Sequence, residues 1–425
     1  MKKIRTVLCG CGHRGIWLAK VAELTDYFDV VAVCDLYLDK AEDTAKELGE
    51  KYKKEVKAFK YVHDMYDEMK PEAVIIACSW EDHARMACEA MERGIAVGLE
   101  VGGAYSEQEC WDLVDTYERT KTPFMFLENC CYNKGELIAT SLARNGRFGK
   151  VVYCSGAYGH DIREEIASGN KMRHYRLRNY ITRNCDNYPT HELGPIAKIL
   201  DINRGNRFTS LISMASGGAH GLTEYVNEND EYADLRGVEF KQADVVETFI
   251  RCENGELISI KLDTTLPRVA QRDLIIAGTK GRYEGNMCSV QLEGEFSIFS
   301  WDYKNEYGTE DKYLEYLPPI WSDMDEEKKE AGHGGMDFLE MYEWGRALQK
   351  GGEMPIDVYD AVSWMCITYL TEISIKEGSK MVEIPDFTRG KYKTRPRQDV
   401  TEIPAVKAKE REKLNQVDGS ITGNY

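Results

Sequence analysis

Residues 156–191 form the densest polar-aromatic stretch, with Tyr158, Arg176, Tyr188 and His191 among them, and two of its side chains, Tyr188 and His191, could move protons. His191 precedes an apolar helical pattern (Leu193, Ile196, Ala197, Ile199, Leu200), which puts it in a first helical turn. Free backbone N–H groups there disfavour an imidazolium, so the ring is expected to be neutral and able to take a proton. Tyr188 stands one turn earlier, so both can share one side. A phenol close to a cationic Arg can be acidified until it serves as a base.

Proton transfer needs a partner chemistry, and the N-terminus supplies one. Gly10-Cys11-Gly12-His13-Arg14-Gly15 fits G-x-G-x-x-G. It follows a predicted strand, opens a helix, and is followed by Asp35, 20 residues past Gly15. This is the context of a dinucleotide site. The glycines allow a tight turn and close approach of a pyrophosphate, and the helix N-terminus favours its charge. Asp35 can accept from a ribose 2′-hydroxyl and would repel a 2′-phosphate, which points to NAD rather than NADP as the cofactor. Ser79, Trp80 and His83 follow the Ala73–Ala77 run, Glu100 follows Ile95–Leu99, and Glu128 follows Phe124–Leu127. Three successive strand ends would therefore converge on one edge, with Trp80 placed to shield a nicotinamide.

The elements that must position these residues are legible as patterns. Through residue 127, short apolar runs (Ile4–Cys9, Val30–Asp35 and the three just named) alternate with helix-period stretches such as Lys40–Tyr52, Glu81–Arg93 and Glu107–Arg119. Repeated β-α-β units with short connections predict an α/β Rossmann domain, a doubly wound parallel sheet, over 1–127. Beyond it come longer β-like runs, Val151–Tyr158, Phe208–Met214, Val245–Arg251, Leu257–Thr264 and Leu274–Ala277, then helical stretches at Met336–Gln349 and Val358–Glu377. They predict an α+β substrate and oligomerisation domain over 128–385 with a large, open, mostly antiparallel sheet. The acidic insert Gly217–Phe240 reads as a solvated loop. Residues 386–425 read as a charged, partly disordered C-terminal arm.

Composition narrows the partners. The 425 residues carry 55 Lys+Arg against 72 Asp+Glu, a net −17, which argues against nucleic acid and anionic membranes. There is no signal-peptide pattern and no apolar run long enough to span a bilayer. The 13 cysteines are scattered, several in apolar runs, which fits reduced thiols in a cytoplasmic protein. The 8 histidines show no HxH or HxxxH spacing, and no metal site is expected.

The glycine motif, Cys34-Asp35, the Ser79-Trp80-x-x-His83 segment and the change of pattern near 127 resemble the Gfo/Idh/MocA oxidoreductase family. Further segments resemble its branch of NAD-dependent glycosidases, glycoside hydrolase family 109, the α-N-acetylgalactosaminidases. Among them are Leu127-Glu128-Asn129, Tyr188-Pro189-Thr190-His191, Gly278-Thr279-Lys280-Gly281 and Gly332-His333-Gly334-Gly335-Met336-Asp337. The resemblance implies hydrolysis without net redox change: oxidation at C3 of the sugar, loss of the C2 proton with expulsion of the aglycone, addition of water at C1, and re-reduction. It implies Tyr158 as the C2 base, Tyr188 and His191 for deprotonation and orientation at O3, and Glu128 and Arg176 as sugar-positioning residues. It also implies an oligomer, a homodimer or higher, formed through the open sheet.

Two departures favour this branch over ordinary dehydrogenases. The usual Glu-Lys-Pro reads Glu100-Val101-Gly102, without the lysine, and Asp-x-x-x-His reads Asn187-x-x-x-His191. Two others bear on the sugar: Glu192 stands where the branch has Gly, and Val269-Ala270 follow Pro267-Arg268 where an aromatic is expected. The competing readings are an NAD-dependent sugar or glycoside dehydrogenase forming 3-keto products with net turnover, and a non-catalytic nucleotide-sugar sensor.

Overall fold

The computed structural model describes residues 2–296 and 303–407. Its first sheet has six parallel strands: β1 (Ile4–Cys9), β2 (Phe28–Cys34), β3 (Lys57–Phe59), β4 (Ala73–Ile76), β5 (Ala96–Glu100) and β6 (Phe124–Leu127), in the order β3-β2-β1-β4-β5-β6. β4 and β6 are wholly apolar, as is β5 up to its final Glu100, because helices cover both faces. The order reverses at β1, and a doubly wound sheet binds ligands at the strand ends beside such a reversal.

The second sheet has eight strands: β7 (Val151–Gly159), β8 (Phe208–Ala215), β9 (Val245–Cys252), β10 (Leu257–Asp263), β11 (Ile275–Gly278), β12 (Gly281–Glu284), β13 (Ser289–Leu292) and β14 (Val382–Glu383). The order is β13-β12-β11-β7-β10-β9-β8-β14, antiparallel except where β7 meets β10. One face packs on helices: Ser213 on β8 donates its N–H to the Ser374 hydroxyl in the helix Val358–Lys376. The other face is open and carries Ile212, Met214 and Phe249 in solvent.

The two sheets are tied by chain that belongs by sequence to the second. Helix Met336–Lys350 returns to the first sheet, where fully buried Trp344 packs on Phe28 with ring centroids 4.7 Å apart. Burying a side chain of that size stabilises by about 2–3 kcal/mol. Helix Val358–Lys376 joins the same core, and Ala104 donates its N–H to the Met365 carbonyl.

One expectation is corrected. The insert 217–240 is not a solvated loop. It contains the helix His220–Glu228, whose Leu222 and Val226, one turn apart, pack with Tyr232, Leu235 and Phe240 against Ile166 and Tyr180. The apolar spacing was present in the sequence but masked by the surrounding acids. The C-terminal arm is anchored through residue 407: Phe387, Thr388, Tyr392 and Val400 are buried, and Arg395 pairs with Asp357. The remainder of the predicted arm, 408–425, lies outside the described residues.

Candidate active site

The glycine loop has the shape a dinucleotide requires. Gly10 has φ +99°, and a Cβ there would lie 2.4 Å from the Ala77 carbonyl oxygen. Gly12 faces open space, and no side chain caps the helix His13–Leu24 that follows it. The first N–H groups of that helix are thus left to an anion. Gly15 packs so closely that its Cβ would fall 2.0 Å from the Gly10 carbonyl oxygen. Asp35 is fixed at the end of β2, accepting the N–H of Cys11 at 2.8 Å and of Tyr37 at 2.9 Å. Each oxygen retains a lone pair for a ribose hydroxyl. These residues fit NAD.

The other residues expected at the cofactor divide. Cys11 contributes its backbone, its thiol being buried, and His13 is exposed at the first helical position. Arg14 turns away from the loop: its Nε lies 3.1 Å from Glu100 and its Nη1 2.7 Å from Asp337 on helix Met336–Lys350. Burial would raise the Asp337 carboxyl, but Arg14 and His333 hold it well below the usual range. Glu100 and Glu340, buried beside the same guanidinium, are pushed up, mainly by desolvation. Ser79 donates to Asp82, and Trp80 is buried. His83 sits beneath the turn with Nε2 3.2 Å from the Cys78 carbonyl oxygen; burial lowers it to about 4, so it is neutral and shapes the loop.

The proton-moving residues come together. Glu100 is the last residue of β5, Glu128 directly follows β6, and Trp80 lies in the loop four residues past β4. His191 is the second residue of helix Thr190–Ile199, and its Nδ1 lies 2.7 Å from Glu128 Oε1. Burial opposes ionisation of Glu128, but His191, Thr190 and the Cys130 N–H overcome it, and its carboxyl is lowered. An ionised Glu128 accepts from Nδ1–H, which leaves His191 Nε2 with the free lone pair.

Tyr158, next to last in β7, and Tyr188 have ring centroids 4.5 Å apart. The His191 ring is 5.6 Å from Tyr158 and 4.8 Å from Tyr188. Arg176 lies over Tyr188 at 5.2 Å and over Trp80 at 5.1 Å. Desolvation raises both phenols and Arg176 opposes it in each, so the expected acidification by Arg is present but outweighed by burial.

Several residues were missed as site members. Asn129 donates to Asp337 Oδ1 at 2.7 Å. Glu165 Oε1 lies 2.8 Å from Arg176 Nε, and Tyr175 meets Trp80 edge-on at 4.9 Å. Asn129 and Asp337 lay within segments already singled out; Glu165 carried no signal. Glu192 packs against β7, where its Cβ would lie 2.6 Å from a Cβ placed on Gly156. Burial and nearby Asp186 push its carboxyl well up. A Glu128 oxygen, a His191 ring nitrogen and the Cys130 thiol lie within 4.8 Å of one another, a grouping that could hold a metal and that the sequence spacing hides.

Comparison with known proteins identifies the two halves. Residues 4–127 match the family model "Oxidoreductase family, NAD-binding Rossmann fold", and residues 132–394 match "Glycosyl hydrolase 109, C-terminal domain". The chain is 36% identical over 419 residues to a glycosyl hydrolase family 109 protein of Stenotrophomonas maltophilia, covering 93% of this chain and 91% of that one. It is 35% identical over 390 residues to an alpha-N-acetylgalactosaminidase of Tannerella forsythia, covering 85% and 81%. In fold it resembles levoglucosan dehydrogenase in complex with NADH and levoglucosan (TM-score 0.66, 18% identity, 90% and 100% covered). It also resembles myo-inositol 2-dehydrogenase of Lactobacillus plantarum (TM-score 0.64, 16% identity, 90% and 100% covered). The chain is therefore an NAD-dependent enzyme that belongs to glycosyl hydrolase family 109 within the Gfo/Idh/MocA oxidoreductases.

Proposed function

We propose that this enzyme hydrolyses a glycoside of the α-N-acetylgalactosaminide type by transient oxidation of the sugar, with NAD retained. The observation that carries the reading is the cluster of Tyr158, Tyr188 and His191 backed by Glu128 and Arg176. It offers two separate bases close together, and hydrolysis by this route needs one at O3 and another at C2.

NAD, when bound, supplies reversible oxidation of the C3 carbinol to a ketone. His191 Nε2, with Tyr188 beside it, takes the O3 proton, and buried Glu128 stabilises the imidazolium that results. The ketone makes the C2–H acidic, because the electron pair left at C2 spreads onto the carbonyl oxygen. Tyr158, as the phenolate, takes that proton; the C1–O bond breaks, and the aglycone leaves with the bonding pair and takes up the proton that the incoming water gives up. Arg176 stabilises the anionic oxygens of the phenolate and of the enolised sugar. Water then adds at C1, Tyr158 returns a proton to C2, and His191 returns the O3 proton as C3 is restored. No pair of carboxylates flanking the scissile bond is needed.

The test is cleavage of a chromogenic α-N-acetylgalactosaminide in D2O. Hydrolysis with deuterium at C2 supports the reading. Steady NADH formation from the free sugar would instead mean a dehydrogenase that forms a 3-keto product.

The exposed Ile212 and Phe249, directly opposed on β8 and β9, together with Met214, support a homo-oligomer built through the open sheet. Light scattering on the wild type and on Phe249→Glu tests this, with a smaller species expected for the variant. The free cysteines, mostly buried, support a reducing, cytoplasmic location. No helix among the described residues is long and apolar enough to cross a membrane.

A further inference from the structure

We propose that residues 172–178 form a strap across the dinucleotide cleft, whose outer latch, Arg173 on Asp39 and Tyr37, sets how long NAD stays bound. The strap belongs to the second half of the chain and runs from the end of the short helix Gly169–Met172 into the first turn of the helix Arg176–Thr182. At its outer end Arg173 donates to both oxygens of Asp39, at 3.1 and 2.7 Å. The same guanidinium lies 4.4 Å over the Tyr37 ring, and Lys40 Nζ donates to the Met172 carbonyl at 2.8 Å. Tyr37, Asp39 and Lys40 follow Asp35, the ribose-binding end of the motif.

At the inner end, His174 stacks on Tyr175 at 4.5 Å, Tyr175 meets Trp80, and Arg178 reaches Glu81 at 3.2 Å. Trp80 and Glu81 follow β4. In the sheet, β1 with its glycine loop lies between β2 and β4. The strap thus runs from the flank of β2 to the flank of β4, past the loop that receives the pyrophosphate.

Its two ends are built differently. The inner end is aromatic and holds Arg176 in the active site, with 7% of that residue exposed. The outer end is polar and open, with the Arg173 and Asp39 side chains 37% and 63% exposed. Exposed ion pairs and cation–π contacts are weak and salt-sensitive. The outer end can therefore lift while the inner end keeps Arg176 in place. An enzyme that must return the electron pair it has taken gains from slow cofactor exit, but cofactor residence is measurable whichever glycoside is cleaved.

The experiment loads the full-length protein with NADH, chases with excess NAD+, and follows the loss of bound-NADH fluorescence. Arg173→Ala and Asp39→Asn should each release NADH about five- to tenfold faster, the loss of a weak surface contact pair. Raising salt should speed release from the wild type but hardly from the variants. The exchanged pair, Arg173→Asp with Asp39→Arg, should restore residence to within about twofold of the wild type. Release at the wild-type rate in the single variants, or acceleration that the exchange leaves uncorrected, overturns the proposal. If a single variant does not fold, Tyr37→Leu removes the ring beneath Arg173: faster release supports the latch and unchanged release contradicts it.

Discussion

Glu128 Oε1 accepts the Nδ1 proton of His191 at 2.7 Å, from a carboxylate with no exposed surface. The acid directly follows β6 of the first sheet, and the imidazole begins a helix packed on the second. That bond fixes the ring and its tautomer where the two domains meet, and it places a buried negative charge behind the nitrogen opposite the one that works. Glu128→Gln keeps the shape and removes the charge. It should lower kcat by about 10²-fold or more while leaving bound NAD in place. Steady-state kinetics together with the NAD content of the purified variant check this; an unchanged kcat contradicts it.

Tyr158→Phe removes the proposed C2 base and nothing of similar bulk. We expect kcat to fall by about 10²-fold or more, as for loss of a general base, with deuterium exchange at C2 falling in step. Cofactor binding should not change, since Tyr158 lies on β7 of the second sheet.

Arg176 opposes the burial that raises the Tyr158 phenol. Without the cation the phenolate forms only at higher pH. Arg176→Gln should therefore move the ascending limb of the pH profile of kcat to more alkaline pH. A limb that stays in place would show that another group sets Tyr158.

The carboxylates around Arg14 give opposite pH signatures. Asp337 is depressed in the folded protein, so its contribution to stability is present above the ordinary carboxylate range and is lost as pH falls below that range toward its depressed folded value. Glu340 is raised, so its contribution is present below its ordinary range and is lost as pH rises beyond it. Glu340→Gln should accordingly be neutral or stabilising at pH 7, whereas Asp337→Asn should be destabilising there. Thermal melting of each variant at about pH 3, 5 and 8 tests the signs.

Asp35 is held by two backbone N–H groups with lone pairs to spare. Asp35→Ala should weaken NAD binding about tenfold or more, the order of a hydrogen bond to a charged group. Titration of cofactor-stripped protein with NAD measures this.

Much of this architecture was legible because local rules and global fold agree. The glycine loop, Asp35 and the strand ends at Trp80, Glu100 and Glu128 follow from period and position alone. His191 fell in a first helical turn as its apolar followers required. What stayed hidden depends on long-range approach. Arg14 falls within the cofactor motif, yet its guanidinium is taken by Asp337, 323 residues away. Glu192 stands out in sequence only as a departure from Gly, and its close packing on Gly156 of β7 has no local signal. The pairing of Glu165 with Arg176 has no periodic signature at all, because each sits on a short helix whose orientation is set by tertiary packing.

The most direct test of the central claim is to turn over a chromogenic α-N-acetylgalactosaminide in D2O with no added cofactor, and to examine both the sugar and the enzyme-bound dinucleotide. The account predicts released aglycone, deuterium at C2 of the freed sugar, and a constant total of bound NAD. Cleavage that leaves C2 fully protonated, or product formation only in proportion to NAD consumed, would contradict it.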